Sequence, residues 1–150
     1  QVAEAYIAGI ETRAAKGKAN LHQGAIGAGV DIGSGRTLSA VWRDQIVTEH
    51  PDTGNAVQDV QIPHWNTLLE LAARSFELTG LGYLGIDIVL DRDLGPLILE
   101  LNARPGLNIQ IANRAGLRRR LDVVLAHRAS LHTVADRIAF AQDAFAVTRP

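Results

Sequence analysis

The sequence predicts an α/β fold of the α+β kind, a mainly antiparallel sheet with helices packed on one side. Two observations carry this reading. Two pairs of extended runs are each joined by a short turn-rich stretch, and three other stretches repeat apolar residues at helical spacing. The 150 residues are 47% apolar and 21% charged. At that length folding covers roughly 68–70% of the unfolded chain's surface, enough for a core without metal or disulfide staples.

Each element has a local reason. From Gln1 to Thr12, Val2, Tyr6 and Ile10 are spaced as on a helix, but so short an apolar pattern suits a strand equally. Residues 25–30 and 37–42 are extended runs around Asp31-Ile32-Gly33-Ser34-Gly35-Arg36, which predicts a hairpin. His50-Pro51-Asp52-Thr53-Gly54-Asn55 is a dense turn cluster. Pro63 then opens a helix that repeats Trp65, Leu68, Leu69, Ala72 and Phe76 on one face and ends at Gly80. Residues 83–91 and 97–102 form a second hairpin around the four-residue turn Arg92-Asp93-Leu94-Gly95. Beyond Leu117, Leu121, Val124 and Leu125, then Leu131, Val134, Ile138, Ala141 and Phe145, indicate two amphipathic helices, with Ser130 as a cap.

Composition excludes several function classes. With no Cys there are no disulfides, thiolate zinc sites or cysteine nucleophiles, which suits a reducing, cytoplasmic setting. The net charge of −1 argues against a nonspecific nucleic-acid binder, and Arg118-Arg119-Arg120 reads as a solvated helix face. No apolar stretch reaches the roughly 18 residues of a membrane span. The chain contains no Met, so residue 1 is not a translational start, and a preceding segment is expected.

The second hairpin carries the most chemistry. A four-residue turn sets Asp91 against Pro96 and therefore Asp87 against Glu100, with Asn102 next on the same face and Leu97, Leu99 and Leu101 on the other. At about 5 Å and an effective dielectric near 20, two facing carboxylates repel by roughly 3 kcal/mol. A hard divalent cation would offset this, as would one carboxyl held protonated; a register slip of one residue would instead leave two unrelated surface acids. Arg104 follows at the same strand end before a Pro105-Gly106 turn, where a guanidinium suits phosphate or carboxylate, or is an ordinary surface cation. Residues 16–24 gather the chain's two lysines, Lys16 and Lys18, with Asn20, His22 and Gln23, as a second polar wall or a solvated loop.

Other motifs are set aside. Asp52-Thr53-Gly54 spells an aspartic-protease triplet, but His50-Pro51 replaces the apolar strand that should precede it. Glycines 24, 27, 29, 33 and 35 fit neither the dinucleotide fingerprint nor the P-loop and instead shape a hairpin. His50, His64, His127 and His132 lack metal-binding spacing and read as structural or exposed.

Three segments together resemble the ATP-grasp superfamily, in particular its glutamate-ligase-like branch, related to the enzyme that adds glutamates to a ribosomal protein. Gly85-Ile86-Asp87-Ile88 is similar to that branch's first metal-ligand strand. Glu100-Leu101-Asn102-Ala103-Arg104-Pro105-Gly106-Leu107 is similar to its Glu-x-Asn strand and loop, and Lys18-Ala19-Asn20-Leu21-His22 to its Arg-x-Asn-Leu-His segment. Order and spacing agree over residues 16–116. The resemblance implies that Asp87, Glu100 and Asn102 ligate Mg²⁺ or Mn²⁺, that Asn20, His22 and Asn102 bind the cofactor ATP, and that Arg104 and Lys18 are catalytic. Lys18 stands where the branch typically has Arg, which keeps the charge but loses the fork.

The resemblance also implies the C-terminal lobe of an ATP-grasp fold over residues 1–116, with 117–150 a helical extension. The lobe that clamps the nucleotide would precede it, so the isolated chain is expected to be inactive. The implied reaction is ADP-forming ligation of a carboxylate to an amine through an acyl phosphate. The expected partners are ATP and a small-molecule or peptide carboxylate and amine, without nucleic acid or membrane; oligomeric state stays open. A non-enzymatic lobe or partner-binding module, or another Mg²⁺-dependent phosphoryl enzyme, are the competing readings.

Overall fold

The computed structural model describes residues 7–8, 26–106 and 116–147. Helices and antiparallel strands alternate as the sequence predicts, but the strands form two sheets. The first has the order β1-β2-β3-β4, with β1 Ile7–Ala8, β2 Gly27–Val30, β3 Thr37–Trp42 and β4 Gln45–Val47. The opening segment thus contributes a short strand paired with β2. The second sheet is the hairpin of β5 Gly85–Asp91 and β6 Gly95–Asn102.

Between the sheets runs α1, Trp65–Thr79, whose apolar face follows the predicted spacing. It ends at Gly80, which takes φ +66° and donates its N–H to the Phe76 carbonyl at 2.7 Å, a conformation only glycine adopts freely. Trp65, Leu68 and Leu69 pack with Val30 of the first sheet, Ile32 of the β2–β3 turn, Ile88 of the hairpin and Ile138. Ala72 packs with Leu84 and Ile86 against Ile88, Ile98 and Leu101. One helix face therefore joins both sheets. A third cluster, Ile26, Ala40 and Val57, packs with Ala28, Trp42 and Val47.

The C-terminal stretch forms α2, Leu117–His127, a 3₁₀ turn over Arg128–Ser130, and α3, Val134–Phe145. Here the expected cap is corrected. Ser130 donates its hydroxyl to the His127 carbonyl at the end of the turn, and Thr133 caps α3 instead. Thr133 accepts from the Asp136 N–H while Asp136 accepts from the Thr133 N–H, a reciprocal pair that satisfies two orphan donors. The pair holds the Asp136 carboxyl below its ordinary range.

Two buried charged side chains fasten α3. Arg137, 4% exposed, pairs with Glu77, donates to the carbonyls of Ala73 and His132, and lies over the Phe76 ring. Asp31, 5% exposed, accepts from Gly33 N at 3.3 Å, Ser34 N at 3.1 Å, the Ser34 hydroxyl at 2.5 Å and Val147 N at 2.8 Å. The same turn supplies the Ile32 carbonyl to the Trp65 indole N–H at 3.0 Å. Gly35, at φ +72°, leaves room for that ring. The β2–β3 turn thus anchors both the start of α1 and the end of α3.

Candidate functional site

The hairpin register places Asp87 opposite Glu100 and Gly85 opposite Asn102. The turn producing this differs from expectation. Asp91 faces Gly95, not Pro96, so the loop is the three residues Arg92–Leu94. Gly95 sits at φ +76°, and the Asp91 carboxylate accepts from the N–H groups of Asp93 and Leu94, both at 2.9 Å. Those two N–H groups, Leu94 first, hold the Asp91 carboxyl below its ordinary range.

A bulge restores the lost residue. Ile88 faces Ile98 and Asp87 faces Glu100, so Leu99 is the extra residue on β6. The leucines consequently do not share a face. Leu101 packs inward with Ile98, whereas Leu99 is 67% exposed and Leu97 is exposed opposite Val89. Without the bulge, Glu100 would turn towards α1. With it, both carboxylates and the Asn102 carboxamide stand on the outward face, all three residues exposed. Solvent around both acids weakens their repulsion below the half-buried value.

Past Asn102 the chain folds back over the same face. The Asn102 side-chain oxygen accepts the Arg104 N–H at 2.9 Å, a local turn of the kind Asn favours. Pro105 lies directly over Gly85: a Cβ built on Gly85 would stand 2.7 Å from the Pro105 Cβ and 3.6 Å from the Asn102 Cβ. Arg104 is exposed at this edge, and among the described residues it makes no ion pair. Gly85 went unremarked as a site residue in the sequence; its signal is a glycine two positions before Asp87, on Asp87's own face.

Hard oxygen donors, two charged and one neutral, form a set that suits Mg²⁺ or Mn²⁺. Asn102 keeps a second lone pair on its oxygen beside the one given to Arg104. Among the described residues, no group of three or more His, Cys, Asp or Glu could hold a metal, and Asn102 follows the acidic pair along the same face. Lys18, Asn20 and His22 lie outside the described residues. His50 is buried and its Nδ1 accepts from Asp52 N at 3.1 Å inside the predicted turn, where Asp52-Thr53-Gly54 is exposed. Among the described residues no helix is long and apolar enough to cross a membrane.

A family model, that of the sugar-transfer associated ATP-grasp family, matches residues 7–126. No curated protein and no solved structure matches the chain.

Proposed function

The chain belongs to the sugar-transfer associated ATP-grasp family, and we propose that it supplies the metal-ligand wall for ATP-dependent ligation of a carboxylate to an amine. ATP-dependent, ligase-like chemistry comes with the family. C–N bond formation through an acyl phosphate, with release of ADP, is the specific form proposed, and the Lys18–His22 and Glu100–Leu107 segments suggest glutamate ligation.

One observation carries the reading: Asp87 and Glu100 are cross-strand partners with Asn102 next on their face, at the strand end from which Arg104 emerges. Asp87, Glu100 and Asn102 would hold Mg²⁺ or Mn²⁺. Bound there, the ion would neutralise charge on the ATP phosphates. Arg104 would orient the reacting carboxylate or phosphoryl oxygens with its planar fork. Lys18 would add a second cation, and Asn20 and His22 would face the nucleotide. Catalysis of this kind rests on position and electrostatics and needs no protein nucleophile.

Titration of the full-length protein with Mn²⁺ and ATP, followed by electron paramagnetic resonance, tests the reading. Glu100→Gln should weaken Mn²⁺ binding at least tenfold while leaving the melting temperature at or above the parent's, since a repulsive neighbour of Asp87 is removed. Equal Mn²⁺ affinity in parent and variant would refute the assignment.

A further inference from the structure

We infer that Gly85 is a positioning residue for Arg104, acting through Pro105; the inference rests on the ligase reading above. Three contacts make the linkage. Gly85 pairs with Asn102 across the hairpin, the Asn102 oxygen holds the Arg104 N–H, and Pro105 occupies the space a side chain at Gly85 would need. Gly85 is not required for its own backbone conformation, because its φ lies outside the positive region in which glycine is favoured. Its role is the close approach. Gly85 opens β5 and is still paired in its register, a position where glycine offers the strand no side chain to pack.

Pro105 is held from two sides. Its ring rests on the Gly85 backbone, and the preceding residue is tethered by Asn102. Arg104 lies between these fixed points, so the course of its backbone beside the acidic pair is set by both. A methyl at position 85 would meet the Pro105 Cβ at 2.7 Å, closer than real Cβ atoms come, with Cγ at 3.4 Å, and the partner atoms belong to a rigid ring. The loop must then lift and carry Arg104 with it. Displacement of a positioning group by about 1 Å can lower turnover by roughly 10²-fold.

A double-mutant cycle on the full-length protein tests this, using Gly85→Ala, Pro105→Gly and the pair. The readouts are ADP release from Mg·ATP with L-glutamate, the KM for ATP, and amide exchange at Arg104. Gly85→Ala should lower kcat at least tenfold, leave the KM for ATP within about twofold, and speed exchange of the Arg104 N–H. Pro105→Gly removes both atoms that meet the added methyl. The double variant should therefore match Pro105→Gly alone, a non-additivity that general weakening of β5 would not produce. An active parent whose Gly85→Ala variant keeps its kcat and Arg104 exchange rate, or a cycle that is additive, would overturn the positioning role. A full-length parent with no Mg·ATP-dependent turnover would overturn the ligase reading itself, while Arg104 exchange in the same variants would still report whether the Gly85–Pro105 seat holds the loop.

Discussion

Replacing Asp31 with Asn keeps the side chain's shape and exchanges one acceptor oxygen for an NH₂ group. Oδ1 accepts from Gly33 N and Val147 N, and Oδ2 from Ser34 N and the Ser34 hydroxyl. Whichever way the amide turns, one set of donors meets another donor. The Ser34 hydroxyl can rotate to accept and its N–H cannot, so the less costly orientation puts NH₂ on that side and orphans the Ser34 N–H. One orphaned N–H plus lost charge assistance on the remaining bonds amounts to about 2–4 kcal/mol. For a chain of this size that is a melting temperature lower by roughly 5–15 °C.

The pH dependence follows from the same contacts. Burial alone would raise the Asp31 pKa, but the Ser34 hydroxyl and the N–H groups of Val147, Gly33 and Ser34 outweigh it and hold the carboxyl below the ordinary 3.8. A folded-state pKa below the unfolded value means that the stabilisation is present above the unfolded value and lost as pH falls through the folded one. Thermal melts by circular dichroism should show a gap between parent and Asp31→Asn that is flat above about pH 5 and closes in more acid solution. Amide exchange at Ser34 should be faster in the variant. Equal melting temperatures at neutral pH, or a gap that widens on acidification, would refute the reasoning.

In the full-length protein, Arg104→Lys should melt close to the parent but lose most turnover, since a point charge would replace the fork proposed to orient two oxygens; thermal melts paired with ADP-release assays check it. Arg137→Ala should lower the melting temperature more than Glu77→Ala, because Arg137 is buried and also donates to Ala73 and His132, whereas half of the Glu77 side chain is in solvent. The same melts rank the two variants.

The hairpin shows how far local pattern reaches. Asp87 and Glu100 face each other as the sequence suggests, through two offsets that cancel: a turn one residue shorter than expected and a bulge one residue longer. Neither offset is marked. Leu97, Ile98 and Leu99 are all apolar, so no polar residue shows where the alternation breaks. The α3 cap was readable, because Thr133 and Asp136 have capping-box spacing while Ser130 has only the right residue type. Asp31 and Arg137 left no such signal. Their partners Val147 and Glu77 lie 116 and 60 residues away, and a lone buried charge has no periodicity to betray it.

Core packing and the proposed metal ligands lie on opposite faces of β5–β6. A two-stranded sheet is marginal by itself, and this one is held through its inner face, where Ile86, Ile88, Ile98 and Leu101 pack on Ala72 and Leu84. That backing is itself fixed at both ends: Trp65 ties the start of α1 to the Ile32 carbonyl, and Arg137 ties its last turns to α3. Because the inner face supplies the packing, the outer face can carry Asp87, Glu100 and Asn102, residues that add nothing to a core and whose like charges oppose folding. The Leu99 bulge lets both conditions hold at once. It turns Glu100 outward without moving Ile98 or Leu101 from the helix, so the acidic pair is aligned by the packing beneath it rather than by any contact of its own.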